Sequence, residues 1–225
     1  MSSKDDLIHN VENTKNIHVE YVSANPTGPL HIGHGRGMIL GEVTAKFLSY
    51  QGHKVIREYY VNDAGRQIDL LLVSVLLCHL GKNKHIFVDE KTNDDGHLVT
   101  YKGNYVNDVA TSLSHDLEKI DKDSVLNLLD EPIDSLISFL KNHKSYSQIR
   151  NALVNVIIDK YIKEDLSAVG INFDSWFRES QLYETGLLDE VLLNIKNKNL
   201  SYRKDGALWF KNTQFGDDQD LSLIH

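Results

Sequence analysis

Residues Ser23 to Gly37 read S-A-N-P-T-G-P-L-H-I-G-H-G-R-G, and no other stretch limits the fold as much. Two of the chain's three prolines stand in it, with His31 and His34 three residues apart. An apolar run, I-H-V-E-Y-V over 17–22, precedes it, and the run to Ser23 is expected to be a buried parallel strand. After it Met38, Ile39, Leu40, Val43, Phe47 and Leu48 recur at three- and four-residue steps, which predicts a helix from Gly33 to about Tyr50 with a broad apolar face. A strand, a Pro/Gly turn and a helix opening with glycines and histidines make an anion site. The first N–H groups of a helix have no partner inside it and lie at the positive end of its dipole. Glycines at 33, 35 and 37 let a ligand approach the backbone closely.

Gly52 is a natural stop for that helix, and H-K-V-I-R-E-Y-Y-V (53–61) reads as a second strand. Residues 17–61 are then a β-α-β unit with a right-handed crossover. Asn62-Asp63-Ala64-Gly65 closes the second strand, with Asp63 either a helix cap or a site-lining group, and a very apolar helix runs on to Leu80. Ligands of open parallel sheets sit beyond the carboxyl ends of the strands, so the loops at 23–33 and 62–65 mark the site.

The rest is organised around breaks in pattern. Residues 1–16 are a polar lead-in, 17–80 the β-α-β half, 81–199 a mostly helical insertion, and 200–225 a hairpin with a truncated tail. Within the insertion, 81–99 is polar, Pro132 interrupts, and the strongest helix spans Ile149–Val169, with Leu153, Ile157, Tyr161 and Leu166 toward the core. I-N-F-D-S-W-F is extended, Leu187–Lys198 is helical, and the hairpin turns at Asp205-Gly206. The tail F-G-D-D-Q-D-L-S-L-I-H has no evident closing element. Trp176 and Trp209 read as packing residues, Cys78 as a small core residue, and D-E-K-T-N-D-D (89–95) as a solvated loop.

Composition enters by exclusion. A formal net charge of −8 over 225 residues argues against DNA or RNA binding through global charge and leaves only a local basic groove. The single cysteine excludes an internal disulfide framework and a cysteine metal cluster, and no metal site is expected from the protein's side chains. A polar start and the lack of a membrane-length apolar run point to a cytoplasmic protein without a membrane partner.

H-I-G-H at 31–34 resembles the signature of class I aminoacyl-tRNA synthetases. The wider V-E-Y-V-S-A-N-P-T-G-P-L-H-I-G-H-G-R (19–36) is similar to the bacterial-type arginyl members. R-E-Y-Y-V-N-D-A-G-R-Q-I (57–68), V-G-I-N-F-D-S-W-F-R-E-S-Q-L-Y-E-T-G (169–186) and K-D-G-A-L-W-F-K-N-T-Q-F-G-D-D-Q-D (204–220) extend the resemblance over nearly everything present. It implies an α/β chain: the half of a Rossmann-like nucleotide-binding fold that carries the histidine motif, with a helical insertion. It also implies ATP-dependent activation of arginine and transfer to its tRNA, with Mg²⁺ accompanying the nucleotide. By resemblance His31 and His34 are catalytic, and His31, Gly33 and His34 bind ATP. Ser23, Asn25 and His34 contact arginine, and Asp63 and Gln67 are further cleft-lining candidates.

The family's chains are longer and continue past the F-G-D-D-x-D stretch, usually with an arginine directly after the last aspartate, where this chain has Leu221. The chain is therefore expected to be an incomplete portion of such an enzyme. The alternative is a truncated, inactive relative that binds ATP, RNA or a partner. A half-sheet would leave an edge and an apolar face uncovered, so poor stability or self-association is also expected.

Overall fold

The computed structural model describes residues 13–85 and 101–224, with the backbone alone at Ile224. The lead-in up to residue 12, the acidic loop 89–95, His9, His97 and His225 lie outside the described residues. The chain divides into two compact units, 1–178 and 179–225.

In the first unit β1 (Asn16–Glu20) and β2 (Lys54–Val61) run parallel, joined by helix α1 (Ile32–Tyr50). β3 (Ser175–Arg178) pairs parallel to the other edge of β2, giving the order β1-β2-β3. This is the expected β-α-β half of a Rossmann-like sheet, extended by a strand from beyond the helical segment. β1 stops at Glu20, short of the expected Ser23, because Val22 and Ser23 adopt φ of 64° and 39°. A β-branched residue in the left-handed region is strained, and such a bend cannot continue a ladder. Tyr60 N–H donates to Ser23 Oγ at 3.0 Å and holds the bend against β2.

α1 buries Met38, Gly41, Glu42 and Ala45 against the sheet. A Cβ on Gly41 would lie 2.2 Å from the Tyr21 ring, so only glycine permits this approach. The expected apolar face is not a single one. Met38 is buried and Leu48 half-buried, whereas Ile39, Leu40, Val43 and Phe47 are exposed together with Ile32 and Tyr50. At roughly 100° per residue the two sets occupy opposite sides of the helix. Helical spacing alone marks both sides as apolar and cannot say which one meets the sheet.

Glu42 fixes α1 to the strands. It accepts from the Tyr21 hydroxyl at 2.5 Å and from Arg57 Nε at 3.3 Å, with Lys46 Nζ at 3.1 Å. Burial alone would raise its pKa, but these donors and the charges of Arg57 and Lys46 outweigh it and hold the carboxyl below its ordinary value. Burial first, and then the Glu42 carboxylate, push the Tyr21 phenol well up. Glu42→Ala is expected to cost about 2–3 kcal/mol in urea unfolding, because it strands a guanidinium and a phenol at the helix–sheet contact. A loss under half a kcal/mol would mean that water satisfies both groups equally well.

α2 (Arg66–His79) is buried over most of its length and packs among α3 (Asn104–Ser112), α4 (Ser114–Leu117), α5 (Lys122–Asn127), α6 (Ile133–Lys141), α7 (Tyr146–Ile157) and α8 (Lys163–Ala168). Pro132 stands at the N-cap of α6, the break expected there. The long helix expected over 149–169 runs from Tyr146 to Ala168 but contains a π-turn at Ile158–Ile162. Leu153, Ile157 and Leu166 are buried, and Tyr161 is half-buried. Buried Asp69 takes Tyr146 Oη at 2.5 Å, Arg150 Nε at 3.2 Å and Lys141 Nζ at 3.0 Å, joining α2, α6 and α7. Trp176 stacks on Tyr59 with ring centroids 4.6 Å apart, which is packing as expected.

The second unit holds α9 (Ser180–Glu184), α10 (Leu187–Asn197) and an antiparallel sheet of β4 (Ser201–Lys204), β5 (Ala207–Phe210) and β6 (Leu221–Ile224). The hairpin turns where expected, with φ of 51° at Asp205 and 81° at Gly206, and two positive angles match the twist of the strands. The tail does have a closing element. Phe210 pairs with Leu221 and Leu208 with Ile224, so β6 covers the free edge of β5. Four residues are too few to show a period in sequence, and the unpaired N–H and C=O groups of β5 supply the reason for the strand.

Candidate active site

The geometry starts at His31, the N-cap of α1, whose φ of −128° and ψ of 170° are extended. Its Nδ1 accepts from Gly33 N–H at 3.1 Å, and His34 Nδ1 accepts from His31 N–H at 3.1 Å. This is a capping box built from two imidazoles, with ring centroids 3.9 Å apart. An Nδ1 that accepts carries no proton, so each neutral ring bears its proton on Nε2. The pair therefore places two Nε2–H donors at the positive end of a 19-residue helix. A Cβ on Gly33 would come within 2.8 Å of His31 Cε1, so the cap itself requires glycine there, apart from any room needed by a ligand.

Burial, and then the neighbouring His31, hold the His34 pKa below its ordinary 6.5. The unfolded chain thus takes up this proton at a higher pH than the folded one. The stabilisation is complete above about 6.5 and disappears as pH falls through the lower folded value. The physical event is loss of the Nδ1 acceptor that holds His31 N–H. An imidazole NMR titration is expected to give His34 a pKa below 6.5 and to show the cap opening with it. A value at or above 6.5 would contradict the capping geometry.

Ahead of the cap, Asn25 Nδ2 donates to Gln67 Oε1 at 2.7 Å, linking the loop to the first turn of α2. A cleft of about 390 Å³ is lined by Asn25, His31, His34, Gln67, Tyr101 and Tyr105. Four of the residues singled out in the sequence meet here. Ser23, Gly33 and Asp63 do not line this cleft. Ser23 Oγ accepts from Tyr60 N–H at the bend that ends β1. Asp63 is buried with Arg178 at 3.9 Å, and the N-cap of α2 is Gly65, so Asp63 is not the helix cap. Beside it, Asn62 Oδ1 is buried with no hydrogen-bond partner among the described residues.

Sequence reasoning passed over Tyr101 and Tyr105. Tyr105 Oη donates to Thr27 O at 2.9 Å, and its ring lies where a Cβ on Gly28 would be 3.1 Å away. Burial, followed by the neighbouring Tyr101 and Tyr161, pushes its pKa up to about 12, so it remains a donor at neutral pH. The only available signal was two tyrosines flanking a glycine at 101–105, with nothing to connect them to a loop seventy residues earlier. No group of three histidine, cysteine or acidic side chains among the described residues could hold a metal ion. No helix among them is long and apolar enough to cross a membrane. Paired Nε2–H donors at the positive end of a helix and at the mouth of a cleft suit the oxygens of a phosphate chain.

Comparison with known proteins matches residues 1–224 to the family described as tRNA synthetases class I (R), catalytic domain. An arginine–tRNA ligase of Hydrogenovibrio crunogenus is 37% identical over 96% of this chain and 39% of its own length. That of Aquifex aeolicus is 39% identical over 91% of this chain and 37% of its own. A crystal structure described as an arginyl-tRNA synthetase from Campylobacter jejuni superposes with a TM-score of 0.68 at 30% identity, over 98% of this chain and 43% of that one. The chain therefore spans less than half the length of the relatives it matches.

Proposed function

The chain belongs to the class I arginyl-tRNA synthetases, as part of their catalytic domain, and on that premise we propose that it serves ATP-dependent activation of arginine and its transfer to tRNA in the cytoplasm. In the first step the arginine carboxylate attacks the α-phosphorus of ATP, pyrophosphate leaves, and arginyl-adenylate forms. In the second a hydroxyl of the terminal adenosine of the tRNA attacks the arginyl carbonyl, an ester forms, and AMP leaves. Neither step calls for a nucleophile from the protein, only for donors placed where negative charge gathers. His31 and His34 donate from Nε2 to phosphate oxygens, Asn25 faces the amino acid, Ser23 holds the bend of the loop through Tyr60 N–H, and Mg²⁺ enters with the nucleotide. The observation that supports the reading is the imidazole capping box, which commits both Nδ1 atoms to the backbone and leaves donation to a phosphate to Nε2–H.

Pyrophosphate exchange that depends on both arginine and tRNA tests it directly. ATP binding without exchange would favour a second reading, a binding module for ATP, RNA or a partner. The bare apolar side of α1 speaks for that reading, because it is built to meet another surface.

A further inference from the structure

We propose that Asp165 and Tyr105, both from the helical segment, are positioning residues for the histidine pair. The proposal rests on the nucleotide-binding reading of that pair. Between the end of β1 and the start of α1 the chain forms neither helix nor strand, so its backbone polar groups need partners from elsewhere. They find them at three-residue steps. Ala24 O accepts from Tyr59 Oη at 2.9 Å, Thr27 O from Tyr105 Oη at 2.9 Å, and Leu30 N–H donates to Asp165 Oδ2 at 3.0 Å. The last of these decides the most. Leu30 N–H belongs to the Pro29–Leu30 peptide, so this bond fixes the plane of the last peptide before the one that joins Leu30 to the N-cap His31.

Asp165 reaches the loop because of an irregularity in its own helix. The π-turn at Ile158–Ile162 ends just before α8, and Asp165 stands in the first turn of α8. A π-turn adds one residue to the helical register and rotates everything after it by about 100°. In an unbroken α-helix residue 165 would face elsewhere. Asp165 also places a negative charge beside a site proposed for an anion. That charge opposes the ligand, so the role of the side chain is to accept the Leu30 hydrogen bond. A side chain that kept the acceptor and lost the charge would serve as well or better.

This gives a test on the chain as it stands, using D165A, D165N and Y105F. The readouts are the imidazole ¹⁵N signals of His31 and His34, the affinity for ATP, and the melting temperature as a control. D165A is expected to shift the His31 signals toward averaged tautomers and to weaken ATP binding about tenfold. D165N is expected to keep the wild-type signals and bind ATP equally or more tightly. Y105F, which retains its ring, should shift the signals in the same direction by less. The proposal is overturned if D165A matches wild type in both signals and affinity, or if D165N is as impaired as D165A. If D165A does not fold, Y105F decides, and unchanged signals and affinity overturn the proposal. Should the wild-type chain bind no ATP, the nucleotide reading fails by itself, while the imidazole signals still judge the positioning role.

Discussion

His31→Ala is expected to lower arginine- and tRNA-dependent pyrophosphate exchange by roughly two to three orders of magnitude, the usual cost of removing one preorganised donor from a site of charge development. Two separate losses have to be told apart. His31 caps α1 through Nδ1, and losing a cap costs about 1 kcal/mol of stability. Its Nε2–H is the proposed phosphate donor, a loss worth about 3–4 kcal/mol in the barrier. His31→Asn separates them, since asparagine is a good N-cap but does not put a donor where Nε2 stands. The asparagine variant should therefore melt close to wild type and turn over as poorly as the alanine variant. Recovery of activity by asparagine would make His31 a cap and nothing more. Unchanged exchange in His31→Ala would remove this histidine from the mechanism. If the wild-type chain binds ATP without exchange, the same pair of variants is compared through ATP affinity, with the same order expected.

The β-α-β unit was legible because its signals are local: β-branched runs, a proline-glycine turn, and apolar steps of three and four within forty-five residues. The histidine pair stood out through the resemblance of H-I-G-H to a family signature, whereas the capping box that it forms is seen only in the structure. The end of β1 was not legible. Nothing in the letters V-S reveals positive φ at Val22 and Ser23, which is held by β2 through Tyr60. Asp165 and Tyr105 were illegible because their roles lie in contacts 135 and 78 residues away along the chain. An aspartate in a helix and a tyrosine after a glycine have ordinary local explanations. Asp63 was open in sequence between a cap and a site-lining group, and local spacing does not foretell that the fold sets it beside Arg178. Sequence pattern thus reports what neighbours do for one another, and the supports of the candidate site come from far along the chain.

The apolar pattern of α1 leads to the other large effect, self-association of this chain. Ile32, Ile39, Leu40, Val43, Phe47 and Tyr50 are between 50% and 95% exposed along one side of the helix that carries the histidines. Six such side chains in a row make a patch on the order of a few hundred Å², the size at which exposed apolar surface marks an interaction face. Beside them β1 pairs only with β2 among the described residues, so a strand edge is open as well. Two faces that each release apolar area and backbone groups from water by meeting another surface favour association, and the net charge of −8 opposes it only weakly at physiological salt. Sedimentation is expected to show a mass that rises with concentration. Leu40→Lys with Phe47→Lys should return the chain to a monomer without lowering its melting temperature, because neither side chain is in the core. The histidine cap lies at the other end of α1 from Phe47, so ATP affinity should survive the double change. A wild-type chain that stays monomeric at high concentration and unfolds cooperatively would mean the stripe is covered within the molecule. A double variant that still associates would move the contact from α1 to the open edge of β1.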